Sequence, residues 1–318
     1  MPIDVRESAE FVVAQSRSVR IDPARVPDLA RELATTSIPA WDDRHHFRDG
    51  PGRTITYLLL VDALNFCFFP EPTWEVIVNG ERLSGYFALT SALREAFEEG
   101  SAVLDPAYLA EVTEDEAAGL LHGAVRIGEI PLLAERTAIL QEVGKALVAT
   151  YAERPERLVE EAAGSAERLI RSLIARFPSF RDEATYGGER IGFYKRAQIL
   201  VADLCGCFGG TGPGRFHDLP TLTAFADYKL PQILRHVGVV AYAPDLAARV
   251  DRRAWIDAGS PEEVEIRAAT IVAVERLKEA LQALGRPLLA IEIDWLLWQA
   301  AQRRPGMRPH HRTLTTRY

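Results

Sequence analysis

The sequence predicts a mainly α-helical protein that carries one small β-hairpin. Apolar residues recur at helical spacing through most of the chain, and residues that start and stop helices are frequent. Only one segment has the pattern of a hairpin. The chain has 318 residues and no low-complexity linker, so we expect one compact domain over residues 1–318. That length can bury a sizeable core without disulfides or metal ions.

The first half of the chain predicts a buried helix followed by the hairpin. Residues 55–69 are apolar on nearly all sides, which is typical of a helix in the centre of the core. The short runs WEVIV and ERL then flank Asn79-Gly80, a pair that favours a tight hairpin turn. We expect Ser84 to begin the next helix and Gly100 to end it. Asp105-Pro106 should open another helix, because it combines an N-cap with a proline at the first helical position.

The second half is predicted to be helical apart from turns. Its strongest helix start is Ser260-Pro261-Glu262-Glu263, and Gly285 marks the end of that helix. Tyr186-Gly187-Gly188 is predicted to be a simple turn. Periodicity predicts the remaining helices at residues 132–151, 157–177, 193–207, 231–237 and 288–303.

Composition excludes several classes of function. The chain has 37 basic and 45 acidic side chains, a net charge of −8, which is unfavourable for binding intact nucleic acid. No apolar run reaches the roughly 20 residues of a membrane span, and the N-terminus lacks the regions of a signal peptide. Cys67, Cys205 and Cys207 fit neither a disulfide framework nor a zinc site. We therefore expect a cytoplasmic protein without membrane attachment, and the sequence leaves its oligomeric state open.

Polar residues interrupt two of the apolar helices. Asp62 and Asn65 are three residues apart and so share a helix face, and Asp294 lies beside Trp295 in a second apolar segment. A buried carboxylate must be paired or hydrogen-bonded. Asp62 is therefore either held by a structural partner or part of the floor of a ligand site. Trp295 belongs either to the core or, with Asp294, to that site.

The segment from residue 225 to residue 235 combines aromatic and basic side chains around a carboxylate. Proline at position 231 suits the first turn of a helix, so Asp227 should lie just ahead of that helix. Asp227 is then either a simple capping residue or the carboxylate of a nucleotide pocket with Phe225, Tyr228 and Lys229. Residues 193–198 have the same aromatic and basic character, and they include Lys195.

His45 and His46 stand in a polar loop beside two aspartates. A metal site is not expected there, because adjacent histidines rarely reach one ion and no third ligand is spaced to join them. Polar loops often carry function, so a contact between one of these histidines and a substrate is expected instead.

Four stretches together resemble the queuosine salvage family, whose members are queuosine 5′-phosphate N-glycosylases, also described as hydrolases that release queuine. They are VDALNF at 61–66, YKRAQIL at 194–200, FADYKLPQILRHVG at 225–238 and EIDWLLW at 292–298. The third is the most specific. The resemblance implies a fold like that of the helix-hairpin-helix DNA glycosylases, although the chain carries no independent signature of that motif.

The resemblance also implies the chemistry and the roles of the residues. Asp227 aligns with the family's essential aspartate, which would stabilise an oxocarbenium-like transition state and orient water. Phe225 is expected against the base together with Tyr228, and His45, or nearly as plausibly His46, against the sugar or phosphate. The candidates for a polar floor that meets the cationic amine of queuine are Asp62, Asn65 and Asp294, and Trp295 is a further candidate for substrate binding. The candidates for the 5′-phosphate are Lys195 and Lys229, with Arg196 and Arg235 behind them.

No step of this reaction needs a metal ion or a redox cofactor. The partners implied are therefore small molecules, with queuosine 5′-phosphate as substrate and queuine as product. Two other functions remain open at the level of sequence. A nucleotide-binding sensor could use the same pocket without turnover, and a broader purine-nucleotide N-ribohydrolase would differ only in its choice of base.

Overall fold

The computed structural model describes residues 2–101, 105–122 and 126–318, and helices dominate these ranges. None of the helices there has the length and apolarity needed to cross a bilayer. The α-helices are α1 (Val5–Gln15), α2 (Val26–Ala34), α3 (Pro51–Leu64), α4 (Gly85–Glu98), α5 (Pro106–Glu111), α6 (Glu114–His122), α7 (Leu133–Tyr151), α8 (Glu156–Ala162), α9 (Ala166–Arg176), α10 (Lys195–Cys207), α11 (Lys229–His236), α12 (Pro244–Asp251), α13 (Pro261–Ala283) and α14 (Ala290–Arg303).

Short strands form small antiparallel sheets between the helices. β1 (Val19–Ile21) pairs with β7 (Val240–Tyr242), and β2 (Glu75–Val78) lies between β3 (Glu81–Ser84) and β4 (Arg126–Ile127). β5 (Glu183–Tyr186) pairs with β6 (Glu189–Gly192). The mainly helical class is thus confirmed, with more sheet than the sequence predicted.

The predicted hairpin is present, but it is not alone. Asn79 and Gly80 join β2 to β3 with φ of 50° and 78°, the left-handed turn that this pair favours. The expectation of a single hairpin is wrong, because the predicted turn at Tyr186-Gly187-Gly188 joins β5 to β6. The strands there are four residues each and mostly polar, so their alternation is weak. The β1–β7 pair is invisible to local patterns because over 200 residues separate its strands.

Two helix boundaries differ from prediction for identifiable reasons. The helix predicted over 157–177 is broken into α8 and α9, since Ala163 and Gly164 adopt φ of 48° and 74°. Ser165 then caps α9 by accepting a hydrogen bond from the Arg168 amide at 3.2 Å. Helix α11 begins at Lys229, two residues before the predicted start, and it holds its proline in the first turn.

Three apolar clusters form the core, and they meet at one short segment. The first surrounds α3, which is buried from Thr54 to Leu64. The second includes α2, α11 and much of α13 and α14, and the third joins α1 and β6 to α13. Ala224, Phe225 and Ala226 are consecutive, yet each packs into a different cluster. The residue that follows them, Asp227, is thereby held where all three clusters meet.

Candidate active site

A cavity of about 420 Å³ opens beside this meeting point. That volume lies within the usual range for a small-molecule site. Its walls come from the loop before α3, the ends of α3 and α4, the face of α10, the start of α11, one face of α14 and the last residues of the chain. Of the residues proposed from sequence, those that line it are His46, Asn65, Lys195, Phe225, Asp227, Tyr228, Lys229, Asp294 and Trp295.

The buried carboxyl end of α3 explains why Lys195 lies in the core. A helix end leaves carbonyl oxygens unpaired and carries partial negative charge, so buried cations are favourable there. Lys195 Nζ donates to the Asn65 carbonyl oxygen at 2.9 Å, and Arg196 donates to that of Ala63. Burial lowers the pKa of Lys195 to about 8, although the nearby carboxylate of Asp227 acts against this shift. One of the three ammonium donors of Lys195 is therefore bound to the protein, and Arg196 does not line the cavity.

Asp227 combines a helix cap with a position on the cavity wall. Its Oδ1 accepts hydrogen bonds from the backbone amides of Lys229 at 2.8 Å and Leu230 at 2.9 Å. Burial raises the pKa of Asp227, whereas the Lys195 charge and these two amides oppose that rise. The side chain retains a second oxygen beyond the one that caps α11. The arrangement holds a carboxylate rigidly at the cavity, with a cation nearby to favour its ionised form.

Asp294 reaches the same cavity from α14. Its Oδ2 accepts a hydrogen bond from the Phe225 amide at 2.7 Å. Burial raises the pKa of Asp294 well above the ordinary value, the Phe225 amide opposes this, and the charge of Asp227 raises it further. Two carboxyl groups in one cavity therefore have different environments, one supported by two amides and a cation and the other by a single amide.

A third cavity carboxylate, Asp203, lies two turns beyond Lys195 on α10 and was missed from the sequence. Its one hydrogen-bond partner among the described residues is the Tyr86 hydroxyl at 3.5 Å. That hydroxyl has a closer partner in His46 Nε2 at 2.8 Å, while His46 Nδ1 faces the Asp42 carbonyl oxygen at 2.8 Å. Burial lowers the pKa of His46, so Nδ1 donates to the carbonyl and Nε2 accepts the single Tyr86 proton. Asp203 is left with an under-used carboxylate that faces the cavity.

Four residues proposed from sequence do not line the cavity, and they are His45, Asp62, Arg196 and Arg235. Asp62 is fully buried, and neither of its oxygens has a hydrogen-bond partner of normal geometry among the described residues. Burial raises the pKa of Asp62 well above the ordinary value, and Asp203 adds to the rise. His45 also points elsewhere, because its Nδ1 contacts Asp42 Oδ2 at 2.6 Å and its ring packs on Phe87. Of the two histidines, His46 is the one that lines the cavity.

Aromatic side chains form the remaining walls. Tyr228 packs edge-on against Phe69, with ring centroids 5.0 Å apart, and lies 4.8 Å from the ring of His310. Trp295 and Trp298 line the wall on α14. Such faces suit a planar heterocycle. The role predicted for Trp295 as a wall residue is thus geometrically available.

Lys229 is the other cation on the cavity wall. Its Nζ makes no hydrogen bond or ion pair with the residues that the structure describes. Burial lowers its pKa, and Asp227 opposes the shift. Arg235, in contrast, lies outside the lining and pairs with Asp251 at 2.8 and 3.0 Å. Lys229 is accordingly better placed than Arg235 to meet an anion.

Comparison with known proteins assigns this site to a family. The sequence profile described as queuosine salvage protein matches residues 45–318, which includes most of the cavity wall. The chain belongs to this family. A queuosine salvage family protein of Sphaerobacter thermophilus, named queuosine 5′-phosphate N-glycosylase/hydrolase, is 48% identical over 99% of this chain and 98% of its own length. Relatives with the same name occur in Mus musculus, 34% identical over 98% of both chains, and in Dictyostelium discoideum, 36% identical over 83% of this chain and 78% of its own length.

In this member of the queuosine salvage family, a buried ion pair supports the two segments that carry Lys195 and Asp227. Arg267 donates to both carboxylate oxygens of Asp182 at 2.9 and 2.6 Å and to the Ala226 carbonyl oxygen at 3.0 Å. Asp182 in turn accepts from the Lys195 amide at 3.2 Å. Burial opposes both charges, yet Arg267 holds the pKa of Asp182 below its ordinary value. One side chain thus ties the start of α10 to the segment before α11.

The described ranges contain no group of three or more histidine, cysteine, aspartate or glutamate side chains arranged to hold a metal ion. The cavity carboxylates instead approach a lysine, backbone amides and a tyrosine hydroxyl. The cavity of this family member thus offers a ligand several carboxylates and aromatic walls. It also offers Lys229, whose ammonium group has no hydrogen-bond partner among the described residues.

Proposed function

We propose that this chain is a queuosine 5′-phosphate N-glycosylase that hydrolyses the bond between ribose and the deazaguanine base and releases queuine. The observation that carries the proposal is the rigidly held Asp227 carboxylate on the wall of a cavity of about 420 Å³. The relatives from Sphaerobacter thermophilus and Mus musculus are named for this activity.

Breaking the glycosidic bond builds positive charge on the sugar, as in other glycoside hydrolysis. A carboxylate that is already oriented stabilises that charge without reorganising during the reaction. Asp227 fits this role because α11 fixes one of its oxygens and Lys195 favours its ionised form. It can also orient the water that attacks C1′. Lys195, held by the Asn65 carbonyl, acts as an electrostatic partner of Asp227 and not as the phosphate ligand.

The positive charge on the base indicates a role for Asp203 in binding it. Queuine carries a cationic amine, and Asp203 has a carboxylate oxygen that lacks a strong partner among the described residues. It is about 12 Å from Lys195 along the axis of α10, so it lies towards the far end of a base whose sugar sits near Asp227. This assignment replaces Asp62, which lies outside the lining.

We expect Asp203→Asn to weaken queuine binding by about ten-fold, because a charge-assisted contact to the amine is lost. Burial raises the pKa of Asp203 to about 7, so the wild-type carboxylate ionises and queuine binds more tightly as the pH rises through 7. Calorimetric titration with queuine from pH 6 to pH 8 measures both effects. Neutral 7-deazaguanine should bind both proteins alike. Asp245→Asn, a change at an exposed carboxylate outside the cavity lining, should keep the pH dependence.

The lysine that binds the 5′-phosphate can be identified by comparing the hydrolysis of the nucleotide with that of the nucleoside. Lys229→Met should lower kcat/KM for queuosine 5′-phosphate by about ten- to a hundred-fold and leave that for queuosine nearly unchanged, because only the phosphate contact is lost. Lys195→Met should lower both values by a similar factor, since Lys195 acts on Asp227. Steady-state assays with the two substrates decide between them. Lys145→Met, a change at an exposed lysine on α7, is the control. A loss confined to the nucleotide in Lys195→Met would return Lys195 to the phosphate.

Turnover tests the proposed function directly. Incubation with queuosine 5′-phosphate should yield queuine and ribose 5-phosphate in equal amounts, measured by chromatography and mass spectrometry. Binding without product would make the protein a sensor. Equal rates with guanosine 5′-phosphate would make it a general purine-nucleotide hydrolase, which the under-used Asp203 argues against.

We further propose that residues 1–318 act as one unit in the cytoplasm. The cavity draws its lining from residue 39 to residue 318, so the site is assembled from most of the length of the chain. Cys67, Cys205 and Cys207 are all free thiols, as a reducing compartment would keep them.

A further inference from the structure

We infer that Asp294 is a second catalytic residue, the general acid that protonates the departing base. This inference rests on the proposed function and deepens it. Asp227 alone explains how the sugar is stabilised. It leaves open how a deazapurine departs, because that base lacks N7 and cannot accept a proton there. A second carboxyl group at the glycosidic bond would solve this problem.

The position of Asp294 places it between the expected base and the expected sugar. Its Oδ2 bonds to the amide of Phe225, the residue proposed to lie against the base, at 2.7 Å. Phe225 is only two residues before Asp227, which is assigned to the sugar, and both line the cavity. A base on Phe225 with its C1′ at Asp227 would therefore have its glycosidic bond beside Asp294.

The surroundings of Asp294 favour the protonated form that an acid needs. The charged groups that act on it are Asp227, which lines the same cavity, and Lys195 on α10. Lys195 is already bonded to the Asn65 carbonyl, and Asp294 has no ion-pair partner in the described ranges. Burial and the charge of Asp227 together raise its pKa. Two carboxyl groups whose environments separate their pKa values divide naturally into an acid and a charge stabiliser.

The other cavity carboxylates are less suited to this step. Asp203 lies two helical turns from Lys195, towards Tyr86 and away from the sugar end. Asp62 does not line the cavity. Among the described carboxyl groups, Asp294 is the one that adjoins both Phe225 and Asp227.

The proposed step balances as follows. The proton on the Asp294 carboxyl moves to N3 of the base, the bond between C1′ and N9 breaks, and its electron pair stays on N9. The base leaves as a neutral molecule and Asp294 becomes a carboxylate. Water adds to C1′ and gives its proton to the carboxylate of Asp227. Exchange of one proton through solvent, from Asp227 to Asp294, then restores both groups.

Asp294→Asn tests the inference because an amide oxygen can still accept the Phe225 hydrogen bond but the side chain has no acidic proton. With queuosine 5′-phosphate we expect kcat to fall by at least about a hundred-fold, the usual contribution of a general acid, while the Kd for queuine changes less than three-fold. Single-turnover kinetics and calorimetry measure these values. A raised Kd with kcat retained would overturn the inference and make Asp294 a binding residue.

A substrate with an activated leaving group provides the matched control. 4-Nitrophenyl ribofuranoside 5-phosphate releases nitrophenolate, which departs without protonation. Asp294→Asn should hydrolyse it within a few-fold of the wild-type rate, which also proves that the variant is folded, whereas Asp227→Asn should fail on both substrates. Equal loss on both substrates in Asp294→Asn would overturn the inference. Failure of the wild type to release queuine would instead refute the proposed function.

Discussion

Asp227→Asn should lower kcat for queuosine 5′-phosphate by about a hundred-fold or more and leave the Kd for queuine nearly unchanged. The substitution keeps an oxygen that can accept from the amides of Lys229 and Leu230, so the start of α11 should persist. It removes the negative charge that would stabilise the sugar cation, and loss of such a preorganised group typically costs about a hundred- to a thousand-fold. Single-turnover release of queuine is the measurement.

The chain offers a matched control for that experiment. Asp105 caps α5 through a hydrogen bond from the Ala107 amide at 2.8 Å, and it lies outside the cavity lining. Asp105→Asn should therefore leave kcat unchanged. Both variants should unfold within a few degrees of the wild type. Near wild-type release of queuine by folded Asp227→Asn would reduce Asp227 to a capping residue and direct attention to Asp294.

Arg267→Met should destabilise the fold by about 3–5 kcal/mol, because it leaves the buried carboxylate of Asp182 without its partner. Urea unfolding followed by circular dichroism measures the loss. In the wild type, Arg267 holds the pKa of Asp182 low, so the ion pair contributes stability above the unfolded pKa and loses it as the pH falls through the folded one. In the variant, the contribution of Asp182 to stability changes with pH in the opposite direction. Its buried Asp182 takes up a proton more readily, and the deficit should shrink below about pH 5.

Two further variants separate charge from packing. Asp182→Asn with Arg267→Met should be more stable than Arg267→Met alone, since the orphaned charge is gone. Arg235→Met breaks another two-bond ion pair, but the side chain of its partner Asp251 is 43% exposed and can be hydrated. Arg235→Met should therefore destabilise the fold less than Arg267→Met does. An equal loss in Arg235→Met and Arg267→Met would mean that packing, and not the stranded carboxylate, sets the effect.

Local sequence patterns predicted the parts of the cavity that lie on one continuous element. The aromatic and basic character around Asp227 identified Phe225 and Lys229, and a carboxylate in an apolar helix identified Asp294. Asp203 follows Leu200-Val201-Ala202 on α10 and is also a carboxylate in an apolar helix. The argument that identified Asp294 would therefore have identified Asp203 as well. The roles of these side chains in catalysis and binding stay predictions.

The structure differs from the expectations where tertiary packing decides between neighbouring residues. His45 and His46 are adjacent, and only the packing of the loop against α4 turns His46 to Tyr86 and the cavity. Asp62 faces the core because α3 is buried on every side, so no helix face distinguishes a ligand site from packing. The paired strands β1 and β7 lie more than 200 residues apart in the chain. The kinship with helix-hairpin-helix DNA glycosylases likewise stays a prediction from family resemblance.

The segment Ala224–Ala226 has a consequence for how the protein acquires activity. Because each residue packs into a different apolar cluster, the carboxylate that follows is correctly aimed only after all three clusters have docked. During refolding from urea, helical circular dichroism should therefore recover before the release of queuine does. Catalytic activity would then appear only when the last cluster has docked. A partly folded chain would be helical and compact but would not hydrolyse nucleotides.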